Sequence, residues 1–164
     1  MSSLDLAGEI RDPRLKKLHD YWQERRRGRR LPARHDIDPL DFSYILGHLL
    51  LVDVLGEPLR FRIRLHGVEM VDRAGYDLTG KFVDDLPDSD FRSYVLERCQ
   101  KLVEAAQPIR IDHARALDGR MHRYEALWLP FSDDGSTVTM LMCALVYQPE
   151  PEPTDLNLDQ LMSA

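Results

Sequence analysis

The sequence predicts an α+β domain built on a five-stranded antiparallel sheet, with helices on one face and an extra helix at the N-terminus. Apolar and polar residues alternate through 59–66, which is the period of two expected of a half-buried antiparallel strand. Three further strand-like segments end the domain and are joined by turn-forming sequences. A long segment with helical apolar spacing separates the early strands from the late ones, which favours a sheet with helices packed against it.

Composition and charge indicate a globular protein and argue against several other classes of protein. With 164 residues, of which 43% are hydrophobic and 30% charged, the chain has the balance of a globular protein with one sizeable core. The net charge of −6 argues against a surface that attracts nucleic acid as a whole. No apolar run approaches the roughly 20 residues of a membrane span, and the first residues lack the basic and apolar parts of a secretory signal. We therefore expect a cytoplasmic protein with no membrane segment.

Three segments are expected along the chain. Residues 1–30 form an N-terminal helix and a basic segment, 31–148 form the domain itself, and 149–164 form an acidic, proline-rich, flexible tail. Alternating proline and glutamate favour an extended and solvated tail. Its leucines leave open a second interpretation, in which the tail folds onto a partner protein.

The N-terminal helix has clear start and stop signals. Asp12 can cap it, Pro13 suits its first position, and Gly28 ends it. The arginines at 25–27 fall in its last turn, where positive charge favours the helix dipole. This placement explains most of the basic cluster at 25–30 without a nucleic-acid partner. The apolar stripe of the helix consists of Leu15, Leu18, Tyr21 and Trp22.

A short helix and two strands are predicted next. Asp38, followed by a proline, starts a short helix that runs to about Gly47. Leu49–Leu55 is predicted to be a buried strand, and a Gly-Glu-Pro turn leads from it into the alternating strand at 59–66. The polar positions of that second strand are three arginines and a histidine, a pattern typical of a solvated or ion-paired face.

The second half of the domain begins with short helical turns in 67–87. A long helix capped by Asp88 or Ser89 then runs to about Gln107. Asp118-Gly119 is a strong signal for a two-residue hairpin, and a polar loop containing glycine forms the second connection. The three strands joined in this way are placed at about 109–117, 120–131 and 137–147.

Several of these segments resemble the PAS superfamily. The stretch GVEMVDRAGYDLTGKFVDDL at 67–86 is similar to the segment that follows the second PAS strand, and 124–147 resembles the last PAS hairpin. Upstream, the aromatic end of the first helix at Tyr21-Trp22, the R-x-D-x-D-P connector at 34–39 and the F-R-x-R-L-x-G strand at 61–67 resemble a group of short, stand-alone bacterial PAS-like proteins. The resemblance covers roughly residues 14–148.

The resemblance implies a PAS-like α+β fold, a sensory or signalling role, and a pocket between the inner face of the sheet and the helices. In this interpretation the domain binds a small ligand or a protein partner and signals through contacts with another, unknown protein. A ligandless interaction adaptor is the alternative. Less favoured is a small α+β enzyme, because only His113 and Tyr124 could form an acid–base pair.

The residues of such a pocket follow from turn geometry. If Asp118-Gly119 is a two-residue turn, His113 lies opposite Tyr124. If the next turn is centred on 134–135, then Tyr124, Ala126 and Trp128 lie opposite Leu145, Cys143 and Leu141. This face is assigned inward because it holds fewer charges than the other, and a filled core remains the alternative to a pocket. The predicted ligand-binding residues are Phe61, Ile63, Leu65, His113, Tyr124, Ala126, Trp128 and Cys143.

The other face of the sheet is too apolar to be left bare. The N-terminal helix is its natural cover, either on its own sheet or on the sheet of a second copy. We therefore expect a homodimer, with an interface formed by Leu15, Leu18, Tyr21 and Trp22.

Little in the sequence supports a metal site or a catalytic site. The six histidines show no HExxH-like spacing, and a haem ligated through one histidine has no motif to support it. No phosphate-binding glycine loop occurs, and Cys99 lacks the local sequence of a flavin-reactive cysteine. Cys99 and Cys143 are too few for a disulfide framework and are predicted to be small buried core residues. We expect no metal and no enzymatic activity, and the sequence names no cofactor.

Overall fold

The computed structural model describes residues 9–117 and 119–148. The predicted tail at 149–164 lies outside the described residues. Within those ranges, no helix combines the length and the apolar character needed to cross a bilayer. The main elements are α1 Pro13–Arg26, β1 Leu49–Leu55, β2 Arg60–His66, α2 Val68–Ala74, α3 Ser89–Ala105, β3 Ile109–Leu117, β4 Arg120–Phe131 and β5 Met140–Tyr147.

The five strands form one antiparallel sheet in the order β2-β1-β5-β4-β3. The early hairpin β1-β2 thus pairs, through β1, with the last strand of the late meander. Successive side chains of a strand point to opposite faces. The inner face, which carries Ala126 and Trp128, is turned towards α2 and α3, and the outer face, which carries Leu127 and Leu129, is covered by α1. The predicted α+β architecture is confirmed.

Helix α1 forms where its signals predict it. The Asp12 side chain accepts a hydrogen bond from the Arg14 N–H, and the helix ends at Arg27, which takes the left-handed conformation with φ 52°. Its apolar stripe packs on the chain's own sheet, where Trp22 Nε1 donates to the Pro130 carbonyl at 2.8 Å. Leu15, Leu18 and Trp22 are buried in this contact, whereas Tyr21 is half-buried and donates from its hydroxyl to Asp41 at 2.8 Å. The outer face, from which a homodimer is expected, is therefore covered within one chain, and the homodimer itself stays a prediction.

A buried carboxylate ties the start of α1 to the sheet. Glu125 lies on the outer face of β4 and is 2% exposed. It accepts hydrogen bonds from the backbone N–H groups of Arg11 and Asp12 at 3.0 and 2.9 Å, and from the Arg110 guanidinium at 2.6 Å. These three donors compensate the removal of the carboxylate from water.

Much of the basic cluster at 25–30 is engaged within the chain. The Arg25 and Arg26 guanidinium groups lie over the rings of Tyr21 and Trp22, at 4.6 and 5.5 Å from the ring centroids. Arg29 forms an ion pair with the carboxylate of Asp36. Three of the five arginines at 25–30 thus have partners within the chain.

Strand β2 contains a bulge that changes which side chains face inward. Ile63 pairs with Val52 and Leu65 pairs with Leu51, so Arg64 is an extra residue without a partner on β1. A bulge of this kind shifts the alternation by one position. The expectation that Leu65 shares a face with Ile63 is therefore wrong, and the residue that joins Ile63 on the inner face is His66.

Two predicted connections are also corrected. The predicted short helix to Gly47 consists of separate 3-10 turns, Pro39–Phe42 and Leu46–His48. The prediction of a two-residue turn centred on 134–135 is wrong, because a longer loop separates the end of β4 at Phe131 from the start of β5 at Met140. The Asp134 side chain holds the longer loop by accepting hydrogen bonds from two backbone N–H groups, those of Ser136 and Thr137, both at 2.8 Å.

The longer loop shifts the β4–β5 pairing by two residues. Tyr124, Ala126 and Trp128 lie opposite Tyr147, Leu145 and Cys143, each two residues further along β5 than the predicted partner. Because a shift of two preserves the face on which a side chain lies, the inner-face assignment survives the error. The predicted register of β3 with β4, including His113 opposite Tyr124, is confirmed.

Gly67 allows the chain to pass close to an earlier turn. A Cβ at this position would lie 2.3 Å from the Gly47 carbonyl oxygen and 2.9 Å from that of Leu49. We expect Gly67→Ala to lower the free energy of unfolding by about 3 kcal/mol, because the opposing atoms are backbone and cannot rotate away. Urea unfolding measures this. Gly56→Ala is the control, with no atom within 4 Å of its Cβ, and it should change stability by less than about 0.5 kcal/mol.

The hydrogen bonds that Glu125 accepts lead to a separate prediction. Glu125→Ala should cost about 3 kcal/mol, because it leaves Arg110 and two backbone donors without their buried acceptor. Hydrogen exchange at the Arg11 and Asp12 amides should accelerate in this variant. Asp112→Ala, which removes a half-exposed carboxylate that also pairs with Arg110, should cost no more than about 1 kcal/mol. Equal losses in the two variants would contradict the anchoring role of Glu125.

Candidate functional site

A cavity of about 100 Å³ lies between the inner face of the sheet and helices α2 and α3. Its walls are mostly aliphatic and aromatic, with polar groups at the tips of a few rings. This combination is typical of sites for small, largely apolar ligands. The lining residues are Leu50, Ile63, His66, Met70, Ala74, Tyr76, Leu78, Val83, Leu86, Phe91, Tyr94, Val95, Ile111, His122, Tyr124, Ala126, Trp128, Cys143, Leu145 and Tyr147.

Five of the eight predicted ligand-binding residues line this cavity: Ile63, Tyr124, Ala126, Trp128 and Cys143. Phe61 shares the inner face with Ile63, but it is buried in the core outside the cavity lining. Leu65 is displaced to the outer face by the bulge in β2. His113 contacts the ring of Tyr124 without lining the cavity itself. Whether the five residues bind a ligand stays a prediction.

Many lining residues come from segments that sequence reasoning did not place at the site. Met70 and Ala74 lie on α2, and Tyr94 and Val95 lie on α3. The apolar stripe of α3 identifies Tyr94 and Val95 as core-facing, but it does not show which part of the core is open. His66 faces the cavity because of the bulge in β2, and the alternating sequence pattern of this strand does not predict a bulge.

A row of aromatic rings runs along one side of the cavity. Tyr94 on α3 stacks on His113 with 4.8 Å between centroids, and His113 lies 5.0 Å from Tyr124. The row extends to Phe91 at one end, 6.4 Å from Tyr94, and to Tyr147 at the other, 5.9 Å from Tyr124. Such ring pairs add to the stability gained from burial alone. They also connect α3 to three strands of the sheet.

His66 supplies a polar group within the otherwise apolar wall. Its Nδ1 accepts a hydrogen bond from the Leu78 N–H at 3.2 Å. Burial lowers the pKa of His66, and the partly opposing influence of Asp77 does not offset this. The imidazole is therefore neutral near pH 7, and with Nδ1 occupied as an acceptor the proton resides on Nε2. A neutral Nε2–H donor is suited to an oxygen atom of a ligand.

The two cysteines are buried core residues, as predicted. Both are free thiols; Cys99 lies on α3, and Cys143 lies on β5 and lines the cavity. Burial raises the pKa of Cys99 to about 12 and raises that of Cys143 well above its ordinary value. Both thiols are therefore un-ionised near neutral pH and are poor nucleophiles. Among residues 9–117 and 119–148, no group of three or more His, Cys, Asp or Glu side chains is arranged to hold a metal ion.

Comparison with known proteins decides the family. A family model described as the PAS domain matches residues 10–146. The chain belongs to the PAS domain family. The predicted resemblance to the PAS superfamily is thereby confirmed, and membership of this family supports a sensory or signalling domain in general. Domains of this family are typically sensory rather than enzymatic. No curated protein matches the sequence.

Solved structures share the fold of this PAS domain. The PAS domain of Bordetella pertussis BvgS superposes with a TM-score of 0.54 at 20% identity, over 77% of this chain and 96% of that one. A light-oxygen-voltage domain studied with a flavin analogue gives a TM-score of 0.50 at 11% identity, over 76% and 94%. VqmA bound to DPO gives 0.51 at 9% identity, over 68% and 57%. At these identities the likeness shows the fold alone.

The state of His66 can be tested directly. We expect long-range ¹H–¹⁵N spectra at pH 7 to show the neutral Nε2–H tautomer, with a titration midpoint below the ordinary value of 6.5. Because the folded-state pKa is lowered, the unfolded chain takes up protons first as the pH falls. The free energy of unfolding should therefore decrease from about pH 7 downward until the folded-state pKa is passed.

His66→Asn should flatten this pH dependence only in part, because burial also lowers the pKa of His19. Thermal unfolding between pH 5 and 8, compared for the two proteins, measures the contribution of His66. A protonated ring at pH 7, or a proton on Nδ1, would contradict the arrangement described above.

Proposed function

We propose that this PAS domain is a sensor that binds one small, largely apolar molecule in the cavity and signals through protein contacts. The observation that supports the proposal is the cavity itself, which lies where the resemblance implies a pocket. Closely packed interiors contain few voids larger than a water molecule, so an apolar opening of about 100 Å³ needs an explanation. A binding site provides one.

The size of the cavity limits the ligand. An apolar protein cavity of about 150 Å³ takes up a benzene molecule. The present cavity, at about 100 Å³, therefore suits a single-ring compound, with small adjustments of flexible lining side chains such as Met70. A ligand of this size fits next to the small side chains of Ala126 and Cys143.

The central strands offer a route by which an occupied cavity could act on the surface. In β4, Ala126 and Trp128 line the cavity, while the residues that follow each of them, Leu127 and Leu129, are buried on the outer face under α1. A ligand that moves β4 inward or outward also moves the Pro130 carbonyl and Glu125, which hold α1. A ligand with different affinities for two positions of α1 would shift the population between them.

The output would be read by another molecule that contacts α1. This partner is a signalling protein or a second copy of the chain, consistent with the expected homodimer. The alternative, a ligandless adaptor, shares the docking step but not the binding step. A test of binding in the cavity therefore separates the two functions.

Neutral ring compounds test the binding step. We expect phenol, benzyl alcohol or benzamide to raise the melting temperature of the purified protein and to appear as a one-to-one complex in native mass spectrometry. Ala126→Leu adds three carbon atoms inside the cavity and should abolish both effects. Ala114→Leu, at an exposed position on β3, makes the same change outside the cavity and should leave them intact.

Each result of this binding experiment has a different consequence for the proposal. Binding that survives Ala126→Leu would place the ligand elsewhere and overturn the proposal. If neither these three compounds nor benzoate, the carboxylate counterpart of benzamide, binds at millimolar concentration, the cavity does not serve as a site for small rings and the adaptor interpretation is favoured. Where binding occurs, hydrogen exchange in α1 should change on addition of the compound, because signalling through this helix requires it.

A further inference from the structure

Tyr147 and His122 are two of the partly exposed residues that line the cavity. We call the part of the lining that these two residues form its mouth. Arg73, an exposed residue near the end of α2, lies next to them. Its guanidinium carbon is 3.7 Å from the centroid of the Tyr147 ring. Its Nη1 is 3.5 Å from Nδ1 of His122. A positive charge is therefore held at the mouth of an apolar cavity by two residues that line it.

Arg73 differs from the described arginines of β2 and β3. Where the side chains of the β2 and β3 arginines are described, they pair with carboxylates: Arg60 with Asp84, Arg62 and Arg64 with Asp53, and Arg110 with Glu125 and Asp112. Within the described part of the chain, the polar and ring contacts of Arg73 are those with Tyr147 and His122. No carboxylate of the described residues neutralises it.

Hydrogen-bond donors of Arg73 and His122 remain available to a ligand at the mouth of the cavity. An arginine that stacks on an aromatic ring keeps the N–H groups in its plane available for a planar, bidentate acceptor. Because arginine only donates, His122 Nδ1 is an acceptor in this contact, and the proton of a neutral His122 is on Nε2. The guanidinium and the imidazole together offer donors suited to the two oxygens of a carboxylate.

We propose that the ligand of this domain is a small aromatic carboxylate. Its ring occupies the cavity against Tyr124 and Tyr147, and its carboxylate lies at the mouth on Arg73 and His122. A single guanidinium fork matches one carboxylate, and the apolar walls behind it match one ring. This inference rests on the proposed function, since it specifies the chemical class of the molecule that the cavity binds.

Benzoate and benzamide provide a matched pair of probes, because they have the same ring and nearly the same shape but differ in charge. Isothermal titration of the purified protein should show benzoate binding at least about tenfold more tightly than benzamide, which is the contribution expected of a charge-assisted hydrogen bond. Arg73→Gln should reduce this preference to about onefold by weakening benzoate binding while leaving benzamide binding unchanged.

Two further variants separate a direct contact from a general effect of charge. Arg30→Gln removes an exposed positive charge from the N-terminal segment and should keep the tenfold preference for benzoate. Arg73→Lys keeps the charge but loses the bidentate fork, so its preference should be intermediate. Thermal unfolding of each variant checks that the exposed substitutions leave the fold intact.

The results distinguish failure of this inference from failure of the proposed function. If benzamide binds in the cavity and benzoate binds no better, or if Arg73→Gln keeps the preference, the carboxylate assignment is wrong and the sensor proposal survives. If neither probe binds and the neutral single-ring compounds phenol and benzyl alcohol also fail, both are wrong. A benzoate preference that disappears in Arg73→Gln and persists in Arg30→Gln supports the inference.

Discussion

Strands β4 and β5 are buried on both faces, and the arrangement of the domain depends on this constraint. Alternate residues of β4 meet either the cavity or α1, as Trp128 and Leu129 do. Both faces can be buried only because α1 supplies an apolar stripe for the outer face and Glu125 holds the start of that helix in place. The cavity and α1 therefore lie on opposite faces of the same two strands, with the thickness of one sheet between them.

The inner face is built differently from the outer one. Small side chains at Ala126 and Cys143 leave space beneath the helices, and the aromatic row that includes His113 and Tyr124 gives this space a firm wall. Polar groups are confined to the tips of rings and to His66, so few buried donors need a partner. At the mouth, the charged side chain of Arg73 contacts Tyr147 and His122. Such a distribution of polarity favours a molecule with one apolar end and one charged end.

Local signals predict most of the secondary structure and part of the site. Asp12, Pro13 and the apolar stripe predict α1 closely, and Asp118-Gly119 predicts the β3–β4 register through to His113 and Tyr124. The inner position of Ala126, Trp128 and Cys143 also follows from the sequence, even though the predicted β4–β5 turn is two residues out of register. An even shift leaves each side chain on its face, whereas the single extra residue in β2 exchanges Leu65 for His66.

Local sequence patterns are enough to predict the element order, the family resemblance and the faces of the central strands, because periodicity, helix caps and turn residues act over a few neighbouring positions. Three features depend on the folded chain: α1 covers its own sheet, a cavity remains between the sheet and α2 and α3, and Arg73 contacts His122 in the cavity lining. These features depend on how volumes from distant segments fit together. No local pattern encodes the space that is left when Met70, Tyr94 and Ala126 are brought to the same place.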